Sequence, residues 1–410
     1  MSATVIENIG LLATPMGFAA RSDREQGEIR LLQDAYLCYE DGVITAVGTG
    51  KAPAVDQRID AQGKLVTPGL IDPHTHLVFG GWRQHELAMK LKGVSYLEIL
   101  AAGGGILSTV KKTRAASMEE LADKAEKELR KMLRLGVTTC ECKSGYGLST
   151  EEELKMLRTV ELLRSRQPVE LVSTFMAAHA LPQEYAEDRE GYIRLIIDEM
   201  LPKVAQEHLA EFCDVFCETG VFTPEECRRI LVAAQGLGLA AKCHSDEIDP
   251  IGGTEMAGSI GAVSCEHLIR CQKSGIQAMK AGGTVACLLP ATSFYLGATF
   301  APAREMIDAG VPVAFGSDFN PGSCPCSNLP LAMNIGCYRY RMTPEECLTA
   351  VTLNAAAAIH RAEKLGSLEV GKQVDVLIWD AFDLDYVFYR FGDSLADTVI
   401  KNGVVVYTQH

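Results

Sequence analysis

The sequence predicts an α/β protein: a (β/α)8 barrel joined to a small β-sandwich domain built from both chain termini. Three observations predict it. Eight short apolar runs alternate with helix-like segments through the middle of the chain. The two ends carry hairpin-like strands and tight turns instead. The ionisable residues of the middle region gather at the C-terminal ends of the apolar runs, where a barrel places its chemistry.

The apolar runs come first. KLVTPGLID (64–72) is read as one buried strand that ends in a loop, and seven more follow: GVTTCECK (136–143), VELVSTFMAAHA (169–180), FCDVFCET (212–219), GLAAKCHSDE (238–247), GAVSCEHL (261–268), GTVACLLP (283–290) and VPVAFGSDF (311–319). They are short and rich in apolar and β-branched residues, as strands buried on both faces are.

Helix signals fill the gaps. Ser117 is a predicted N-cap with Glu119 and Glu120 in the first turn. Thr150 with Glu153 reads as a capping box, and so does Thr223 with Glu226, where Pro224 occupies the first helical position. The TPEEC of that start recurs at Thr343 as a second helix start. A doubly wound open sheet is the rival architecture, but no glycine-rich nucleotide fingerprint follows the first strand. AAGGGI (101–106) is read as a flexible active-site loop.

At the ends, AYLCYEDGVITAVGTG turns at Asp41-Gly42, and DTVIKNGVVVY turns at Asn402-Gly403. Neither end is long enough for a robust domain alone. Residues 1–65 and 362–410 are therefore expected to pair into one composite β domain clasping a barrel of residues 66–361.

Composition narrows the function. The chain has 410 residues, 47% hydrophobic and 22% charged, with a formal net charge of -14. That charge argues against a nucleic-acid or anionic-membrane partner and leaves a small-molecule substrate. MSATVIENIG has no export-signal texture, and no run of 18 apolar residues occurs, so a cytoplasmic protein is expected. The 14 cysteines read as reduced thiols, and the pairs Cys140/Cys142 and Cys324/Cys326 lack the spacing of a structural zinc site.

The polar residues at the strand ends carry the chemistry. His74 and His76 follow the first strand, His179 the third, His244 and Glu247 the fifth, His267 the sixth and Asp318 the eighth, with His85 a little beyond the first. Singly, His267 could be a core histidine, Asp318 a turn former and Glu247 a solvated loop carboxylate. Jointly they point to one mouth. His74, His76, His244 and Asp318 make a nitrogen and oxygen donor set suited to Zn2+ or iron, able to lower the pKa of a water towards about 7. Glu247 then suits the general base and His267 the donor to a developing oxyanion.

This pattern, H-x-H after the first strand, His after the fifth and sixth and Asp after the eighth, resembles the amidohydrolase superfamily. DPHTHLVFGGWRQHE, KSGYGL, AAHALP, CHSDEI and FGSDFNPGS together resemble its branch of cyclic-amide hydrolases that open an imidazolone ring. The resemblance implies hydrolysis of 4-imidazolone-5-propanoate to N-formimidoyl-L-glutamate in histidine degradation. It also implies one Zn2+ or Fe2+/Fe3+ per subunit, a homodimer, and catalytic roles for Glu247, His267 and Asp318. It places carboxylate binding on Arg83, substrate contacts on Tyr146, ring contacts on His179 and Glu247, and a carboxylate-facing loop on Asn320, Gly322 and Ser323. An arginine fork fits a propanoate, with a surface ion-pair partner as the lesser reading of Arg83 taken alone.

Two-metal members of the superfamily resemble each other in carrying a bridging modified lysine at the end of the fourth strand; FCDVFCETGVF has none, which by that resemblance favours a single ion. One departure is Trp82, bulky where a small residue is expected beside Arg83. Two other readings stay open: a mononuclear deaminase of a purine or pyrimidine base, and a non-catalytic scaffold of the same fold. Arg83 with Tyr146 suits an acidic substrate tail that a neutral base lacks, and a scaffold would be expected to lose ligands.

Overall fold

The protein is described by a computed structural model covering residues 3–94, 98 and 103–409. Its N-terminal strands are β1 (Thr4–Thr14), β2 (Arg30–Glu40), β3 (Val43–Thr49), β4 (Gln57–Asp60) and β5 (Leu65–Pro68). Eight parallel strands follow: β6 (Leu70–Asp72), β7 (Val137–Lys143), β8 (Glu170–Ala178), β9 (Phe212–Cys217), β10 (Ala240–Ser245), β11 (Ser264–His267), β12 (Val285–Leu288) and β13 (Val313–Phe315). The chain ends in β14 (Val376–Trp379), β15 (Ala396–Lys401) and β16 (Val404–Thr408).

The strands β6 to β13 neighbour one another in sequence order and form the barrel. It closes just past the ends of β13 and β6, where Thr75 and Phe319 bridge in parallel. Asp318 N donates to His74 O at 3.0 Å and His76 N to Phe319 O at 2.9 Å across that seam. Apolar side chains on both faces are buried against a ring of helices, and Leu353, Ala355, Ala356 and Ile359 plug the opposite end against Ile71, Phe212 and Val285. Parallel strands covered on both faces explain why the runs show no strict alternation.

The run 64–72 is not one strand. Leu65–Pro68 pairs with β1 and β14 in the terminal sheet, and only Leu70–Asp72 enters the barrel. The break falls at Gly69, whose N–H makes the last bond of the pairing with the β14 side, to Asp375 O at 2.9 Å, before Leu70 N turns to Gly136 O at 2.9 Å in the barrel. Both halves are apolar because both are buried, so periodicity could not separate them.

The terminal strands make a single sheet in the order β16-β15-β14-β5-β1-β2-β3, with β4 beside β1. The sheet read from sequence as a sandwich curls on itself, since Val43 bridges Gln373 and Ile44 N bonds Lys372 O at 2.8 Å. Its interior is an apolar cluster of its own, including Ile6, Leu37, Val66, Val376 and Ile400. Asp41-Gly42 and Asn402-Gly403 both take positive φ at each residue, the geometry of two-residue hairpins. The two turns touch, with Tyr39 Oη donating to Gly403 O at 2.9 Å.

The helix starts at Ser117, Thr223 and Thr343 are capping boxes. The one at Thr150 is not. Ser149 is the N-cap residue there, and Glu153 turns away to accept the backbone N–H groups of Gly145, Gly147 and Leu148 at 2.8–3.0 Å. Of AAGGGI, Ala101 and Ala102 lie outside the described residues, while Gly105 begins a helix and donates to Glu86 Oε1 at 2.7 Å.

Candidate active site

The barrel seam is also where the polar side chains converge. His74 and His76 stand on the loop after β6, and i, i+2 spacing in extended backbone turns both rings inward. The rings of His74, His76, His244 and His267 lie with centroids 4.6–5.7 Å apart. His74 Nε2 is 3.4 Å and His76 Nε2 3.8 Å from Asp318 Oδ1, and His244 Nε2 is 3.4 Å from His76 Nε2. Asp318 and His267 hold φ of 52° and 67°, left-handed conformations that non-glycine residues adopt at a cost and that cluster at functional sites.

These atoms fit a cation. His74 Nε2 is buried and has no hydrogen-bond partner among the described residues. Its other nitrogen, Nδ1, is 2.8 Å from Glu266 Oε2, which fixes the ring and leaves Nε2 facing the cluster. Asp214 Oδ2 lies 3.0 Å from His244 Nδ1, a close contact without the hydrogen-bond alignment that Glu266 gives His74. Burial first, then the positive charge of Lys143, holds the His74 imidazole well below its usual pKa, and burial does the same for His76. Neutral imidazoles and a carboxylate are the donors a divalent metal takes.

Beneath the histidine cluster runs a chain of ion pairs that no sequence motif announced. Lys143 Nζ bonds Glu141 at 2.9 Å and Asp214 at 2.7 Å, and Lys242 Nζ lies 2.9 Å from Glu141 and 3.5 Å from Glu266. All five side chains are fully buried. Burial alone would discharge Lys143, but Asp214, Glu141 and Glu266 hold its ammonium above the usual lysine value. A signal was present: Glu141/Lys143, Lys242/His244 and Ser264/Glu266 sit two apart within apolar strands, and that period puts each pair on one face.

On one side of the cluster, Glu247 Oε2 is 3.7 Å from His267 Nε2. Burial pushes the Glu247 carboxyl up to about 7 and the His267 imidazole down to about 4. On the other, His179 stacks on His76 at 4.8 Å and 19°, with Nδ1 3.1 Å from Gly145 O. The buried Tyr146 ring is 5.8 Å from His76 and 5.2 Å from His179. Glu153 therefore anchors the loop that presents Tyr146.

Arg83 stands in the turn after the first barrel strand, held by Glu86 through Nε at 2.9 Å and a terminal nitrogen at 3.1 Å. Its guanidinium lies flat against Gly322, where a Cβ would meet Nη1 at 2.1 Å. Lys90 Nζ adds a second cation, 3.4 Å from Glu86 and 2.9 Å from Gly322 O. Asn320 organises the adjoining loop: its Oδ1 accepts the N–H groups of Gly322 and Ser323 at 2.8 and 2.7 Å, and its Nδ2 donates to Asp318 O at 2.8 Å. Trp82 packs edge-on against Phe79 and Phe319, with the Lys124 ammonium 4.7 Å from its ring. His85 is exposed.

The amidohydrolase family profile matches residues 65–406. The chain belongs to the amidohydrolase family. Curated relatives named imidazolonepropionase are 50% identical to it in Alkaliphilus oremlandii, over 98% of this chain and 97% of the relative, and 50% identical in Fusobacterium nucleatum, over 98% of each. Solved structures share its fold. A triazine hydrolase variant matches with a TM-score of 0.76 at 19% identity, covering 99% of this chain and 95% of that one. Atrazine chlorohydrolase from Arthrobacter aurescens TC1 complexed with zinc matches with a TM-score of 0.73 at 18% identity, over 99% and 95%. The histidine cluster of this chain stands at the C-terminal mouth of the barrel. No helix among the described residues is long and apolar enough to cross a membrane.

Proposed function

We propose that this amidohydrolase opens the ring of 4-imidazolone-5-propanoate by hydrolysing its cyclic amide, yielding N-formimidoyl-L-glutamate, the reaction named by its curated relatives. The observation that carries the reading is the pairing, at one barrel mouth, of the buried donor set with a guanidinium fixed by Glu86 against Gly322. The first suits hydrolysis and the second suits an acidic substrate arm.

His74, His76, His244 and Asp318 would hold one Zn2+ or iron ion. Such an ion, when bound, acidifies water and polarises a carbonyl. Glu247, poised near pH 7 by burial, takes the proton of the attacking water and returns it to the ring nitrogen as the amide C–N bond breaks. His267, neutral at that pH, donates a hydrogen bond to the oxygen on which charge develops. Asp318 is held by Thr292 Oγ1 at 2.6 Å, which fixes one carboxylate oxygen and leaves the other facing the histidines. Arg83 clamps the propanoate, Tyr146 and His179 flank the ring, and the loop of Asn320, Gly322 and Ser323 lies next to the clamp. Water adds one oxygen to the carbonyl carbon, and the freed nitrogen stays in the product as the formimidoyl group.

The test is an assay of the metal-analysed protein with freshly generated 4-imidazolone-5-propanoate, following loss of its ultraviolet absorbance, appearance of formimidoylglutamate and release of ammonia. Ring opening without ammonia is expected. Ammonia release from a purine or pyrimidine base, with the imidazolone untouched, would replace this reading by deamination, and no turnover of either by metal-loaded protein would leave a scaffold.

A further inference from the structure

We propose that Glu141, which touches none of the four donors, is a positioning residue that sets the metal affinity of the site through the buried ion pairs beneath it. The inference rests on the metal assignment above. Glu141 is the one member of the chain bonded to both ammoniums, Lys143 at 2.9 Å and Lys242 at 2.9 Å, and Thr174 Oγ1 holds its Oε1 at 2.6 Å. Lys143 in turn holds Asp214, which faces His244 Nδ1, and Lys242 approaches Glu266, which faces His74 Nδ1. Two ligands on different strands are thus oriented by carboxylates that share a single counter-charge system.

Charge balance gives the arrangement its purpose. Three carboxylates, Glu141, Asp214 and Glu266, face two ammoniums, Lys143 and Lys242, leaving one net negative charge. Asp318 adds a second, so these ion-paired side chains and Asp318 together carry the charge that matches a divalent cation. Without the Glu141 charge, Asp214 and Glu266 are the carboxylates left to the two lysines, beside the Pro73 and Ala358 carbonyl oxygens that Lys242 Nζ meets at 3.2 and 3.4 Å. Those carboxylates are then drawn from the imidazoles towards the ammoniums, and the pocket loses the negative charge that favours a cation. The outer partners of metal-binding histidines carry about 10- to 100-fold in metal affinity.

The test is metal affinity, not turnover. Apo protein is reloaded with Zn2+ and with Co2+ in competition with a chromophoric chelator, and the visible spectrum of the Co2+ form reports ligand geometry. Glu141→Gln is expected to bind either metal about 10- to 100-fold more weakly and to shift the Co2+ bands, with Glu141→Asp recovering part of the affinity. Thr174→Val, which removes one neutral hydrogen bond from the same carboxylate, is expected to weaken binding by a few-fold in a normally folded protein. A purely structural role would lower the melting temperature of the apo protein and leave the affinity unchanged. Wild-type affinity in Glu141→Gln overturns the proposal, and wild-type affinity in Thr174→Val overturns it should Glu141→Gln fail to fold. A wild-type protein that binds neither metal overturns the metal assignment itself.

Discussion

Replacing Gly322 by alanine isolates the clamp from everything else in the site. The added Cβ would sit 2.1 Å from Arg83 Nη1, 2.5 Å from Cζ and 3.0 Å from Nη2. To restore an ordinary contact of about 3.5 Å the guanidinium must retreat by more than about 1 Å. It cannot do so freely, because Glu86 grips it at 2.9 and 3.1 Å and is itself fixed by Gly105 N. The φ of Gly322 is not in the left-handed region, so the backbone itself accepts alanine. A charge-assisted hydrogen bond contributes about 1.5–3 kcal/mol, and tenfold in an equilibrium constant is about 1.4 kcal/mol. Losing the carboxylate contact should therefore raise KM by about 10- to 100-fold. The value of kcat should fall much less, since the donor cluster is untouched. The assay is steady-state kinetics on 4-imidazolone-5-propanoate beside an imidazolone lacking the carboxylate. An unchanged KM, or an equal loss on both substrates, would refute the assignment of Arg83.

Three further outcomes are expected. His244→Ala or Asp318→Ala should abolish metal retention and turnover while circular dichroism still reports a folded barrel; retained activity in either removes the donor assignment. The Glu247 carboxyl, raised to about 7 by burial, accepts protons only when ionised, so kcat/KM should fall as pH drops through that value. A profile flat from about pH 5.5 to 8 argues against Glu247 as base. Glu153→Gln keeps the shape but removes the charge that gathers the N–H groups of Gly145, Gly147 and Leu148. It should destabilise the protein by about 1–3 kcal/mol and raise KM through the displaced Tyr146; unchanged thermal stability and KM would mean the loop holds itself.

How much of this was legible follows from which interactions are local. The barrel strands could be read because burial on both faces makes compact apolar runs, and the donors because strand ends mark the mouth. The break at Gly69 could not be read, since two different cores demand the same residue types on either side of it. Glu153 shows a related ambiguity: Thr-x-x-Glu suits a capping box, but the carboxylate finds three loop donors that only the fold brings near. Trp82 is settled by Phe319, some 237 residues away in sequence (319 minus 82), which no local pattern records. The ion pairs under the histidines needed the order of β7, β9, β10 and β11 around the barrel before lysines and carboxylates could be matched.

The position of β5 bears on the order in which the molecule can be built. This four-residue strand leads directly into the histidine-bearing segment, and it lies between β1, near the start of the chain, and β14, at Val376–Trp379. On the ribosome the chain emerges from its N-terminus. For most of its synthesis β5 has one partner and one open edge, and such an edge is a template for pairing with another chain. The nascent protein therefore carries an adhesive seam beside its future active site until the last few dozen residues arrive. Premature termination before β14 should thus yield aggregated chains, not a shortened enzyme.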